Sequence, residues 1–135
     1  MTRPFLILGA VSAALGVAAG AFGAHALRAR LEPRALEVFE TAARYQMYHA
    51  LALVAVGLLL ARANGVTTAL LGPAPGTGAA VASGWLFVVG TVLFSGSLYA
   101  MTFTGLRALG AITPLGGVCF IAGWLCLAVA AAKLG

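Results

Sequence analysis

The chain has 135 residues, of which 62% are hydrophobic and 8% charged, and its mean hydropathy is +1.05. A soluble domain of this size covers its exterior with charged groups, about 25% of its residues, so eight bases and three acids exclude an ordinary water-soluble fold and make lipid the solvent. The net charge of +5 is scattered over Arg3, Arg28, Arg30, Arg34, Arg44, Arg62, Arg107 and Lys133, which is the pattern of membrane-flanking charge rather than of a nucleic-acid surface.

A membrane-crossing helix takes about 20 residues, so this length allows four spans in one domain. Phe5 to Leu27 is the first apolar run, about 34 Å long as a helix. Arg3 and Ala24-His25-Ala26 also fit a cleaved secretory signal, but the run is longer than a usual signal core. Arg28 to Arg44 is the strongly polar stretch and holds all the acids. Within it Leu31, Ala35, Leu36, Val38, Phe39, Ala42 and Ala43 recur at helical spacing. This predicts an amphipathic segment over residues 33–43 that opens at Pro33 and runs on into a second span over 42–62. Arg44, Tyr45, Gln46, Tyr48 and His49 then fall in that span's first two turns. Ala63 to Gly78 carries the turn dipeptides Asn64-Gly65, Gly72-Pro73 and Pro75-Gly76 and reads as the longest loop. The third span is predicted over 81–103 and the fourth over 114–133, with Thr113 as cap and Pro114 in the first helical position. The expected fold is an all-α membrane protein, an antiparallel bundle of four transmembrane helices with an amphipathic extension before the second.

Small residues line two spans, Gly9, Ser12, Gly16, Gly20 and Gly23 in the first and Gly116, Gly117 and Gly123 in the fourth. In lipid, helices associate by close backbone approach, so these glycines are expected to make the bundle interior, with Gly16 and Gly20 as a pair four residues apart. A dimer interface is the alternative. Cys119 and Cys126 are about 10 Å apart along one helix, beyond disulfide reach.

Up-and-down order gathers nearly everything polar on one membrane side: His25, Glu40, Arg44, Tyr45, Gln46, Tyr48, His49, Ser95 and Tyr99 among them. Ionisable groups at membrane depth are expensive unless paired or wet, so these residues form the candidate ligand-binding cluster. Arg44 and His49 are expected to turn inward, toward Glu40 or the first and third helices, with His25 in reach of the same cavity. The competing reading is an interfacial anchor, with Arg44 snorkelling and Tyr45 and Tyr48 in the aromatic belt. Ser95, Tyr99 and Thr102 form a stripe that either faces His49 or serves as packing glue. Two histidines do not complete a metal set, and the acids are confined to one segment, so no metal, no cofactor and no catalytic residue is expected.

At these residues Gly20-Ala21-Phe22-Gly23-Ala24-His25-Ala26-Leu27, Tyr45-Gln46-Met47-Tyr48-His49-Ala50-Leu51-Ala52-Leu53, Leu93-Phe94-Ser95-Gly96-Ser97-Leu98-Tyr99 and Leu109-Gly110-Ala111-Ile112-Thr113-Pro114-Leu115-Gly116-Gly117 together resemble the YgdD-like family of small membrane proteins. The resemblance implies a four-span protein of the bacterial inner membrane, similar to a small transmembrane protein of animals, in a family of unknown function. It transfers no catalytic residue. The expected function is that of a non-enzymatic accessory protein or a binder of a lipid or hydrophobic small molecule at the polar end. A small oligomeric transporter or channel is the alternative, and a metal- or haem-dependent redox protein a third. The expected partners are membrane lipids, with a homo-oligomer or a larger membrane complex open, and no nucleic acid. Five bases flank the polar side, Arg28, Arg30, Arg34, Arg44 and Arg107, against Arg3, Arg62 and Lys133 on the other, so both termini are expected outside.

Overall fold

The computed structural model describes residues 1–64 and 72–134. Four of its helices are long and apolar enough to cross a membrane, Thr2–Leu27, Pro33–Ala63, Thr77–Thr104 and Arg107–Lys133, and no strand occurs among the described residues. The expected all-α, four-span architecture is therefore observed. Of the predicted loop, residues 65–71, and with them Gly65 of the Asn64-Gly65 turn, lie outside the described residues.

Helix α1, Thr2–Phe22, widens at its end into a π-helical turn, Gly23–Leu27. The chain then reverses through Arg28 to Glu32, where the amides of Arg30 and Leu31 both donate to the Leu27 carbonyl at 2.9 Å. Helix α2, Pro33–Ala63, starts with Pro33 in its first turn and runs unbroken for 31 residues. At 1.5 Å per residue it is about 46 Å long, against about 30 Å of hydrocarbon, so its charged first turns project past the apolar layer. Helix α3, Thr77–Thr91, passes through a second π-helical turn, Val92–Gly96, into α4, Ser97–Thr104, and the three pieces form the third span. Gly105 ends it with φ +70°, a left-handed cap donating its amide to the Met101 carbonyl. A 3-10 turn, Arg107–Ala111, leads to α5, Thr113–Leu134. Thr113 was expected to cap α5. Instead its hydroxyl lies 2.7 Å from that of Ser97, binding the third span to the fourth.

Helix α2 is the centre of the bundle. It packs along α1 on one side and along the third span on the other, while α5 packs chiefly on the third span and barely meets α2. The core lies toward the end opposite the charged segment, built on Phe5, Leu53, Val56, Leu60, Ala80, Phe87 and Phe120. Ile7, Val11, Leu15 and Val17 on α1 and Leu115, Val118, Ile121 and Leu125 on α5 are exposed, as lipid-facing residues are.

The α1–α2 seam corrects one expectation. Gly20 is exposed, and a Cβ there would meet nothing within 4 Å, so it is not a packing glycine. The buried glycines of the first span are Gly9, Gly16 and Gly23, seven apart, and they face Val54, Met47 and Phe39 in turn along the antiparallel α2. Seven residues bring a straight helix back to within about 20° of its starting direction, whereas four leave it further off the seam. Gly9 is the tightest of the three: a Cβ would lie 2.8 Å from Val54 Cγ2 and 2.9 Å from the Ala50 carbonyl oxygen. Gly16 is looser, at 3.4 Å from Met47 Cε. On the fourth span a Cβ at Gly123 would lie 2.7 Å from the Phe87 ring, one at Gly116 would run into the backbone of Phe94, and one at Gly117 would only graze the Phe94 ring at 4.0 Å.

Candidate functional site

His49 is the polar centre of the bundle and is 4% exposed. Its Nδ1 lies 2.7 Å from the Tyr45 carbonyl oxygen, and Trp124 Nε1 donates to its Nε2 at 3.2 Å. A carbonyl only accepts and an indole N–H only donates, so the pair of partners assigns the imidazole proton to Nδ1 and leaves Nε2 as acceptor. The ring lies flat on Phe120, with centroids 3.4 Å apart and planes 3° from parallel, and Phe87 and Trp124 close round it. Tyr45 in turn packs on Phe94 at 4.7 Å between centroids. The result is an aromatic wall built from α2, the third span and α5.

A second set of polar groups ties the helices together. Gln46 donates from Nε2 to the Ser12 carbonyl at 3.0 Å, and its Oε1 accepts the Tyr99 hydroxyl at 2.8 Å, so one buried amide links α1, α2 and α4. Ser95, on the π turn, donates to the Ala42 carbonyl at 2.8 Å. The third-span stripe thus faces α2, where it meets Gln46 and Ala42 rather than His49, and Thr102 donates to the Leu98 carbonyl of its own helix. Among the described residues Ser83 Oγ is the buried side-chain polar atom without a partner.

Arg44 and His25 take other places. Arg44 is exposed and forms no ion pair with Glu40, against the expectation of an inward-turned guanidinium. His25 is exposed on the π turn of the first span. Its neighbour Gly23 packs on Phe39, ten residues and about 15 Å of helix before His49, so the two histidines do not share a cavity. Tyr45 and Tyr48 are both partly open on the outer surface of α2.

Because α2 and α5 barely touch, a groove is left between them, floored by the third span. Its inner part encloses about 650 Å³ and is lined by Tyr45, Tyr48, His49, Leu51, Phe94, Gly117, Phe120, Ile121 and Trp124. Its outer part, about 630 Å³, lies at the charged end, where Glu40, Thr41, Arg44, Leu98, Met101, Thr113 and Pro114 surround it. Phe94 borders both parts. Each is within the usual range of ligand sites. Phe87, Phe94, Phe120 and Trp124 escaped the sequence reading of the site. The available signal was Trp124, ten residues inside the fourth span and so deeper than the interfacial belt where membrane tryptophans usually sit.

The fold and this groove define a polytopic α-helical membrane protein with an open groove whose outer part is charged and whose inner part is aromatic. The chain belongs to the family described as Protein of unknown function (DUF423), whose profile matches residues 19–117. It is 46% identical over 131 residues to the UPF0382 membrane protein YwdK of Bacillus subtilis, covering 97% of this chain and 98% of that protein. It is likewise 46% identical over 131 residues to a UPF0382 membrane protein of Staphylococcus epidermidis, with 97% of each chain covered, and 45% identical over 132 residues to one of Staphylococcus saprophyticus, covering 98% and 99%. No solved structure matches. Neither family name is the YgdD-like one, so that narrower label stays a resemblance.

Proposed function

We propose that this protein is a non-enzymatic component of the bacterial cytoplasmic membrane that holds a lipid or hydrophobic small molecule in the groove between α2 and α5, with its termini on the outer side. The observation that carries the reading is the groove itself, two clefts of about 630 and 650 Å³ that both have Phe94 in their lining. It runs from charged side chains at the membrane boundary to aromatic ones inside, which matches the polarity gradient of an amphiphile. The transporter alternative has less support: among the described residues Gln46, His49, Ser95 and Ser97 commit their polar atoms to internal bonds. A path for a solute needs such groups free to meet it. Bacterial relatives named as membrane proteins support the location, and the five bases of the charged side support the orientation.

The test is lipid extraction from protein purified in mild detergent, compared with Gly117→Leu, which fills the inner cleft where the glycine leaves it open. The parent is expected to carry a bound amphiphile in stoichiometric amount and the variant to lose it at unchanged thermal stability. A parent free of amphiphile, or a variant that retains it fully, would overturn the proposal.

A further inference from the structure

The outer cleft holds two opposite charges that are not used in the fold. Glu40 and Arg44 line it one helical turn apart, about 6 Å along α2. They do not pair with each other, and neither side chain has a hydrogen-bond or ion-pair partner among the described residues. Their neighbours Arg34 and Glu37, on the same rim, do pair, at 3.2 Å, and so cancel. Glu40 is half-buried, where a carboxylate lacking a cation is costly, and Arg44, one turn further along α2, is exposed.

Resting on the groove reading above, we infer that its occupant is a bilayer phospholipid with a zwitterionic phosphoethanolamine headgroup, the phosphate bonded by Arg44 and the ammonium by Glu40. A purely anionic headgroup satisfies Arg44 but lies against the Glu40 carboxylate. A choline headgroup has no N–H to donate and needs an aromatic box around its cation, whereas Phe94 is the one aromatic side chain lining the outer cleft. A primary ammonium donates hydrogen bonds to a carboxylate, and the two-carbon link to its phosphate suits charges one turn apart on a helix. An acyl chain then continues past Phe94 into the aromatic inner cleft, between Tyr48 and Trp124.

Delipidated full-length protein in detergent, titrated with dioleoyl phosphatidylethanolamine, phosphatidylglycerol and phosphatidylcholine and read by native mass spectrometry, tests this. The ethanolamine lipid is expected to bind about tenfold more tightly than either of the others, the size of one charge-assisted contact. Glu40→Gln is expected to erase that preference while still binding the glycerol lipid, and Arg44→Gln to weaken all three about tenfold. Unchanged melting of the lipid-free variants verifies their folding, and if a variant fails to fold the ranking by the parent protein decides. Equal affinity for the ethanolamine and glycerol lipids, or a preference that survives Glu40→Gln, would overturn the headgroup assignment alone. Binding of no lipid at all, or a lipid-free oligomer that closes the cleft, would overturn the groove reading with it.

Discussion

Gly9→Ala and Gly20→Ala add the same methyl group to the same helix and are expected to differ in effect, with a gain in stability at Gly20 and no gain or a loss at Gly9. In a helix interior alanine is worth about 1 kcal/mol more than glycine, so the substitution is stabilising wherever space allows. At Gly20 nothing lies within 4 Å of the new Cβ, and the full gain is expected. At Gly9 the Cβ would lie 2.9 Å from the Ala50 carbonyl oxygen and 3.0 Å from the Val54 amide nitrogen. These are backbone atoms and cannot turn aside, so α1 and α2 must part locally, along the seam where small residues permit close approach. Overpacking of this kind costs about 1 to 3 kcal/mol, which outweighs or at least cancels the propensity gain. Against a total stability on the order of 5 to 15 kcal/mol the difference between the two variants is measurable. The assay is thermal unfolding in detergent followed by circular dichroism, both variants beside the parent. Gly9→Ala melting at or above Gly20→Ala would refute the assignment of the seam.

Four further outcomes follow from the same geometry. Gln46→Leu removes the link to Ser12 and leaves the half-buried Tyr99 hydroxyl without its acceptor, for a loss of about 1 to 2 kcal/mol, and adding Tyr99→Phe is expected to recover part of it in a double-mutant cycle. Trp124→Phe removes the donor to His49 Nε2 and leaves the Nδ1 bond, so nitrogen NMR of labelled histidine is expected to show a proton on Nδ1 in both proteins and a shift confined to Nε2 in the variant. Arg44→Leu in lipid-free protein is expected to change stability by less than about 1 kcal/mol, because no internal partner is lost, where a buried pair would have cost about 3 to 5. A C-terminal alkaline phosphatase fusion, active only outside, is expected to be active, and a C-terminal reporter active in the cytoplasm would reverse the orientation.

The spans were legible because hydrophobicity per residue, summed over a helix length, is a one-dimensional property. Pro33 likewise announces the start of α2 without help from the rest of the chain. Which residues meet across the bundle is a different kind of information, since it depends on how each helix is rotated against its neighbours. Gly16 and Gly20 illustrate the difference: a pair four apart looked like a seam on one helix, but the antiparallel partner selected the seven-residue set of Gly9, Gly16 and Gly23. Arg44 and His49 were grouped by depth, yet five residues turn a helix well past a quarter revolution from its starting direction, so burial of His49 carries Arg44 outward. The depth argument did find Gln46, His49, Ser95 and Tyr99, and the structure places all four in contacts between or within helices at that level. Phe120 was beyond its reach, because in an apolar run a phenylalanine carries no mark of the histidine it will cover, and Trp124 was marked only by lying deeper than the interfacial belt. The π-helical turns at Gly23–Leu27 and Val92–Gly96 had no signal in the sequence either, and the second is what presents Ser95 to α2 and Phe94 to the groove.

The proposed function requires the groove between α2 and α5 to be a lipid site rather than a stretch of ordinary lipid-facing surface. A phospholipid with a photoactivatable group in its acyl chain, reconstituted with the full-length protein and followed by peptide mass spectrometry, tests that claim directly. Adducts concentrated on Tyr48, Leu51, Ile121 and Trp124 are the predicted result. Adducts spread evenly over those residues and the exposed outer face of α1, at Ile7, Val11 and Val17, would contradict it.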